Sequence, residues 1–198
     1  AMWEERQGKM TVAIQNYIKI GEEQEVFRVL ESENALELYR TIPKVFENFF
    51  RGVSVEEKLT HLKAYLIYIY YWEVYGVMEN ARRDFQETEK YFYEKGMDKN
   101  PQNKRMLGEM LIMRSIMSID DVGKMAETIQ QAYEVLDGRP SEIFNERFIA
   151  MFMVPELYGI YYSEAGKLLS SIEKIKEFSR YYLALVNAKD SGWEWMAE

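Results

Sequence analysis

The chain of 198 residues has no cysteine and a single histidine, His61. The first absence removes disulfides, thiolate metal sites and a cysteine nucleophile. One histidine leaves no pair for a His-based metal site and argues against a His-dependent triad. Proline occurs 4 times and glycine 11 times, so long stretches run without a breaker. Basic residues are outnumbered 25 to 33, giving a net charge of −8 and a pI near 5.0. That balance speaks against general affinity for nucleic-acid phosphates or an anionic membrane surface. The sequence also lacks a glycine-rich phosphate loop, a Gly-x-Ser-x-Gly elbow and the Glu-x-x-His pairs of di-metal bundles. No cofactor is expected. No N-terminal segment has the basic-then-apolar pattern of a signal peptide, and the expected location is cytoplasmic.

What is present is apolar and aromatic. Hydrophobic residues make up 47% and aromatics 15%, enough for a large core. Apolar positions recur every three to four residues, the rhythm of helices, while strand-like alternation is scarce. The spacing predicts nine helices at about 8–20, 22–32, 35–51, 55–77, 79–95, 101–117, 120–137, 141–163 and 165–189. Asn34 to Glu37 and Ser54 to Glu57 read as capping boxes, and Asn100-Pro101, Ser118 to Asp121 and Ser141-Glu142 as further starts. Gly52, Gly96, Gly138 and Gly192 fall where the pattern stops. No Pro-, Gly- or Ser-rich linker divides the chain, so a single domain over 1–198 is expected. Abundant Glu and Lys without cysteine fit a thermophilic source.

The helices repeat with a period of 42 residues. That offset joins Gly96 to Gly138, and Ala81 to Gly123 and Ala165. It also aligns Tyr65, Leu107 and Ile149; Tyr68, Met110 and Phe152; and Ile69, Leu111 and Met153. Small residues at one phase let paired helices approach, and bulky ones at the others fill the gap. The expected units are N-terminal helices and a partial repeat over 1–54, then hairpins at 55–96, 97–138 and 139–190.

The stretch "DDVGKMAETIQQAYEVLDGRP" (120–140) resembles the second helix of a tetratricopeptide-like hairpin, with Ala126 and Ala132 at its small positions. "ELYGIYYSEAGKLLSSIEKIKEFSRYYL" (156–183) is similar to the helix-turn-helix that follows. The resemblance covers roughly residues 55–190, with 42 residues per unit in place of the usual 34. It implies an all-α, right-handed superhelical stack of antiparallel hairpins. It also implies a peptide- or protein-binding role, including within regulatory systems, with first helices lining the concave face.

Two groups of residues are candidate sites. The 42-residue offset carries Lys63 onto Arg105 and Arg147, and His61 onto Asn103 and Asn145. Cations beside amides at one phase of successive first helices suit an acidic peptide, through charge-assisted hydrogen bonds; solvated helix faces are the plainer reading. On that view Lys63→Glu with Arg105→Glu would abolish acidic-peptide binding and spare stability. The second group lies in "AYLIYIYYWEVYG" (64–76), where Tyr68, Tyr71 and Trp72 offer an aromatic groove. The apolar run from Ala64 to Trp72 is too short to span a bilayer and lacks the interleaved cations of a base-stacking surface. Its two apolar stripes describe a helix packed on both sides. Asp120-Asp121 suits a helix N-terminus better than a metal site. Arg82-Arg83 is expected to pair with Glu79 and Glu87 on a solvated face.

The leading expectation is a non-enzymatic domain binding a protein or peptide partner, acidic in character. The alternatives are a ligand-sensing regulatory domain with an aromatic-lined cavity and a helical enzyme of unrecognised site.

Overall fold

The computed structural model describes residues 1–32, 35–76, 78–118, 121–144 and 168–186. Every regular element among them is helical. The chain divides into two compact units, Ala1–Tyr91 and Phe92–Glu198. The first holds α1 (Met2–Arg6), α2 (Met10–Ile20), α3 (Glu23–Leu30), α4 (Ala35–Thr41), α5 (Pro43–Gly52), α6 (Val55–Thr60) and α7 (Leu62–Tyr75). α8 (Met78–Glu94) runs through the division. The second unit holds two 3₁₀ turns at Met97–Lys99 and Pro101–Asn103, then α9 (Lys104–Met117), α10 (Val122–Val135) and α11 (Leu168–Val186).

Two expected helices are broken. The span 35–51 divides before Pro43, which has no N–H to donate and disfavours helical geometry in the residue before it. Ile42 accordingly turns to φ −134°, ψ 55°, and Pro43 opens α5. The span 55–77 breaks at His61, at φ −105°, ψ 47°. There the imidazole stacks on Phe27 with ring centres 4.0 Å apart, and its Nδ1 lies 3.1 Å from Glu31 Oε1. These partners lie about thirty residues upstream, beyond any local pattern.

The caps act largely as their residue types suggest. Ser54 Oγ accepts from the Glu57 N–H at 3.2 Å, and Asp121 Oδ1 from the Lys124 N–H at 3.0 Å. Asn100 Oδ1 accepts from the Gln102 N–H, but the cap opens a 3₁₀ turn rather than the α-helix itself. Gly96 and Gly138 both adopt the left-handed conformation, φ 64° and 69°, that an L side chain resists. Ala1 to Lys9 supplies a short helix, α1, outside the expected nine. The Asn34 cap, Gly192, Ala165 and the aligned apolar positions 149, 152 and 153 lie outside the described residues.

One pair of helices, α7 and α9, is offset by 42 residues at both ends. Leu62 to Lys104 and Tyr75 to Met117 are each 42 positions apart, so α7 and α9 have the same length in the same register. Tyr68 with Met110, and Ile69 with Leu111, are buried at matching phases.

In the first unit an aromatic core forms from α3, α4, α5 and α7. Phe27 meets Phe49 edge-on at 5.2 Å, and Phe50 stacks on Tyr68 at 4.4 Å. Tyr39 is fully enclosed and donates its hydroxyl to the Ala64 carbonyl at 2.9 Å. In the second unit α10 packs against both α9 and α11. A Cβ added to Gly108 on α9 would stand 2.4 Å from Leu136 Cγ, so glycine sets this approach. Gly108→Ala gains about 1 kcal/mol of helix propensity and loses about 1–3 kcal/mol to overpacking. A net destabilisation is expected in urea melts, relieved in part when Leu136→Ala is added; additive losses would show that the two sites are independent.

Candidate functional site

α7 is the helix on which the aromatic candidates sit, and ten of its fourteen residues are buried. Its side chains divide into interior and edge. Tyr68 lies against Phe50 and within 6.2 Å of Tyr39, while Tyr71 faces Tyr39 at 6.3 Å. Both are core residues, and burial raises the Tyr68 phenol well above its ordinary range.

Trp72 is half-buried. Its ring meets Tyr71 edge-on at 5.5 Å and Tyr68 at 6.5 Å. It lies across Gly76, where an added Cβ would be 1.9 Å from Cε3. The indole N–H is enclosed and has no hydrogen-bond acceptor. One turn on, Tyr75 is 43% exposed and stacks on Tyr71 at 5.4 Å. Arg40, from α4, sets its guanidinium 5.6 Å from the centre of the Tyr75 ring. Its nearest described carboxylate, Glu37, stays at 3.8 Å, beyond hydrogen-bond range. The three groove candidates thus separate: Tyr68 and Tyr71 support the core and Trp72 packs half-buried against them, while Tyr75 and Arg40 meet at the surface.

The basic ladder is distributed differently. Lys63 is half-buried in the first unit, with no ion-pair partner among the described residues. Arg105 and Asn103 belong to the second unit, and both are engaged locally. Arg105 pairs with Glu142 at 3.0 Å and donates to the Pro140 carbonyl at 3.0 Å. Asn103 donates its amide to the Met97 carbonyl at 3.0 Å. Arg147 and Asn145 lie outside the described residues, as does the proline-containing run 148–162. Because Arg105 ties down the 140–142 turn, Arg105→Glu would bring a carboxylate against Glu142 and disturb the fold. The double charge reversal is therefore not neutral for stability, and Lys63→Glu alone is the clean variant.

Several buried polar groups escaped the sequence pattern because their partners lie across turns. Glu73, almost fully enclosed on α7, receives the Arg82 guanidinium at 2.7 Å and 3.0 Å. Arg83 donates to Asn80 at 3.2 Å. Thus Arg82 reaches back into the interior rather than serving only a solvated face. Lys58, also buried, meets Asp84 at 2.6 Å and lies 5.5 Å from the Tyr65 ring centre. Among the described residues, no three His, Cys, Asp or Glu side chains gather as metal ligands would. Nor is any described helix long and apolar enough to cross a membrane.

Glu109 on α9 holds the turn after α10. It accepts the Glu142 N–H at 2.8 Å and the Ser141 hydroxyl, while Ser141 Oγ accepts the Ile143 and Phe144 N–H groups at 3.0 Å and 2.7 Å. Ser141 N–H donates to the Leu185 carbonyl of α11 at 2.7 Å. Burial raises the Glu109 carboxyl above its usual range, against the lowering effect of these donors and of Arg105. The folded state therefore favours the neutral acid. Stability from this group is full below the unfolded pKa of about 4.3 and is lost as pH rises through the higher folded value. Measured by urea melts across pH, wild type minus Glu109→Gln should fall over that window. A difference growing with pH would contradict this.

No protein-family model, curated protein sequence or solved structure matches the chain.

Proposed function

We propose that the chain is a non-enzymatic, tetratricopeptide-like domain that binds a protein or peptide partner. Its hairpins would stack antiparallel into a right-handed superhelix. The shared length and register of α7 and α9 support a repeat, since stacked repeats bury faces that no hairpin covers alone.

The observation that carries the binding reading is the aromatic edge of the first unit. Tyr75 and Arg40 are 43% and 56% exposed, and the Arg40 guanidinium lies against the Tyr75 ring. Tyrosine, tryptophan and arginine are the residue types that anchor protein interfaces, because each brings large area with little flexibility or a planar donor fork. Tyr68 and Tyr71 turn their rings to Phe50, Tyr39 and Tyr75. That packing favours a surface edge over an aromatic-lined cavity for a small molecule.

Selection of a displayed random-peptide library on the immobilised full chain tests the reading. Expected is an enriched motif that binds the folded protein and is lost on its thermal unfolding. A library that enriches nothing beyond an unrelated helical control would count against a peptide-binding role.

A further inference from the structure

We infer that the outward face of α2, with α1 beside it, docks a second copy of this chain in an antiparallel, two-fold pair. The face is separate from the α4–α7 edge, so the inference stands independently of peptide binding there.

Four of the six large apolar side chains exposed among the described residues fall on α1 and α2: Met2, Trp3, Val12 and Ile20. Trp3 and Ile20 are both 64% exposed. Clustered apolar exposure of this kind marks an interaction surface. Helical geometry puts Val12, Lys19 and Ile20 within an arc of about 100° on α2, while Ala13, Ile14 and Tyr17 are buried. Lys9 caps the start of the helix, with its ammonium 5.6 Å from the centre of the Trp3 ring. At the other end Gly21 turns the chain in the left-handed conformation, and Glu22 and Glu23 follow, both exposed.

The charges on this face are ones the fold leaves unused. Glu5 is engaged by Tyr17 at 2.9 Å and by Arg28 at 2.8 Å, and Glu25 by Arg28 at 2.9 Å. Arg6, Lys9, Lys19, Glu22 and Glu23 have no ion-pair partner among the described residues.

The order of these residues identifies the partner. Cations stand at the start of the face, carboxylates at its end, and Val12 and Ile20 between them. An acidic peptide would be repelled by Glu22 and Glu23, and a basic one by Arg6, Lys9 and Lys19. An anionic lipid surface would meet the same carboxylates and a chain of net charge −8. A second copy turned half a rotation avoids these conflicts, because an isologous contact sets each end of a face against the other end of its twin. Antiparallel pairing across Gln15 and Asn16 places Lys9 opposite Glu22 and Glu23 of the second copy, twice by symmetry. The same register brings Val12 to Ile20, and lets Lys19 lay its stem along Val12 with its ammonium in water. A Cβ added at Gly21 would touch nothing within 4 Å, so this turn leaves room for the Trp3 ring of the second copy. The face is one helix wide, which makes the pair a weak one that exchanges with monomer.

Sedimentation velocity of the full chain over about a hundredfold range of concentration tests this. Expected is a reversible equilibrium between monomer and dimer. Lys9→Glu should weaken assembly about tenfold, since both symmetric contacts become repulsive. Glu22→Lys combined with Glu23→Lys should do the same. An equal mixture of these two variants should regain wild-type assembly, because every reversed charge then faces its opposite. Val12→Asp should abolish the dimer while leaving the melting temperature of the monomer unchanged. The charge variants keep the test valid if Val12→Asp lowers that temperature.

A chain that stays monomeric at every concentration would overturn the inference. So would a dimer indifferent to Val12→Asp and to both charge reversals, which would assemble through another face. Charge variants that fail to restore each other on mixing would overturn the antiparallel pairing.

Discussion

Replacing Tyr65 with alanine should lower the stability of the protein by about 3–5 kcal/mol, the range for removing a large buried aromatic side chain. Tyr65 is fully enclosed on α7. Its ring neighbours Phe50 at 6.1 Å and lies beneath the Lys58 ammonium, and its hydroxyl pairs with Thr88 at 3.0 Å. The loss has two parts that separate experimentally. Tyr65→Phe keeps the ring and removes the hydroxyl, with an expected loss of about 1 kcal/mol; Thr88 still donates to the Asp84 carbonyl. The remainder is ring volume and the cavity it leaves. Urea melts of the two variants measure both parts. A Tyr65→Ala midpoint equal to wild type would mean that α7 is not an interior helix.

The second large effect concerns Arg82. Glu73 is 3% exposed at its side chain, and the Arg82 guanidinium spans both its oxygens. Arg82→Ala leaves that carboxylate inside the protein without its cation, and a loss of about 3–5 kcal/mol is expected. The reverse variant, Glu73→Ala, should be milder, because Arg82 is 29% exposed and its charge can return to water. The pair joins α7 to α8, so the double replacement by leucine should recover much of the Arg82→Ala loss. Thermal melts of the three variants, with a double-mutant cycle, decide this. Equal losses from the two alanine variants would show that burial of the carboxylate is not what makes the pair matter.

The helical fold was readable because its signals are local. Ser54 and Asp121 cap helices through bonds three residues long, and Gly96 and Gly138 stop them by their own backbone preference. The 42-residue offset of α7 and α9 was readable for the same reason: it lies in the succession of helices rather than in contacts between them. The break before Pro43 is masked in the sequence by the continuing apolar rhythm of Phe46, Phe49 and Phe50. The break at His61 had no local sign, since Phe27 and Glu31 make it.

The candidate site was only half legible. Aromatic density marked α7, but Tyr68, Tyr71 and Trp72 look equivalent until Phe50 and Tyr39 are placed against two of them. Arg40 and Tyr75, 35 positions apart, carry no shared pattern that would join them. Likewise the matching phase of Lys63 and Arg105 says nothing of the Pro140 carbonyl that Arg105 holds. Spacing reports which residues share a phase along the helices. It does not report which charges are already satisfied by the fold, and that determines which remain for a partner.

Photocrosslinking inside the native host tests partner binding at the α4–α7 edge most directly. Benzoyl-phenylalanine is placed at position 75 in one strain and at position 63 in another, each with and without Arg40→Glu. Expected is a discrete crosslinked polypeptide from position 75 that disappears with Arg40→Glu and is absent from position 63. Crosslinks from position 63 alone, or from position 75 regardless of Arg40, would contradict it.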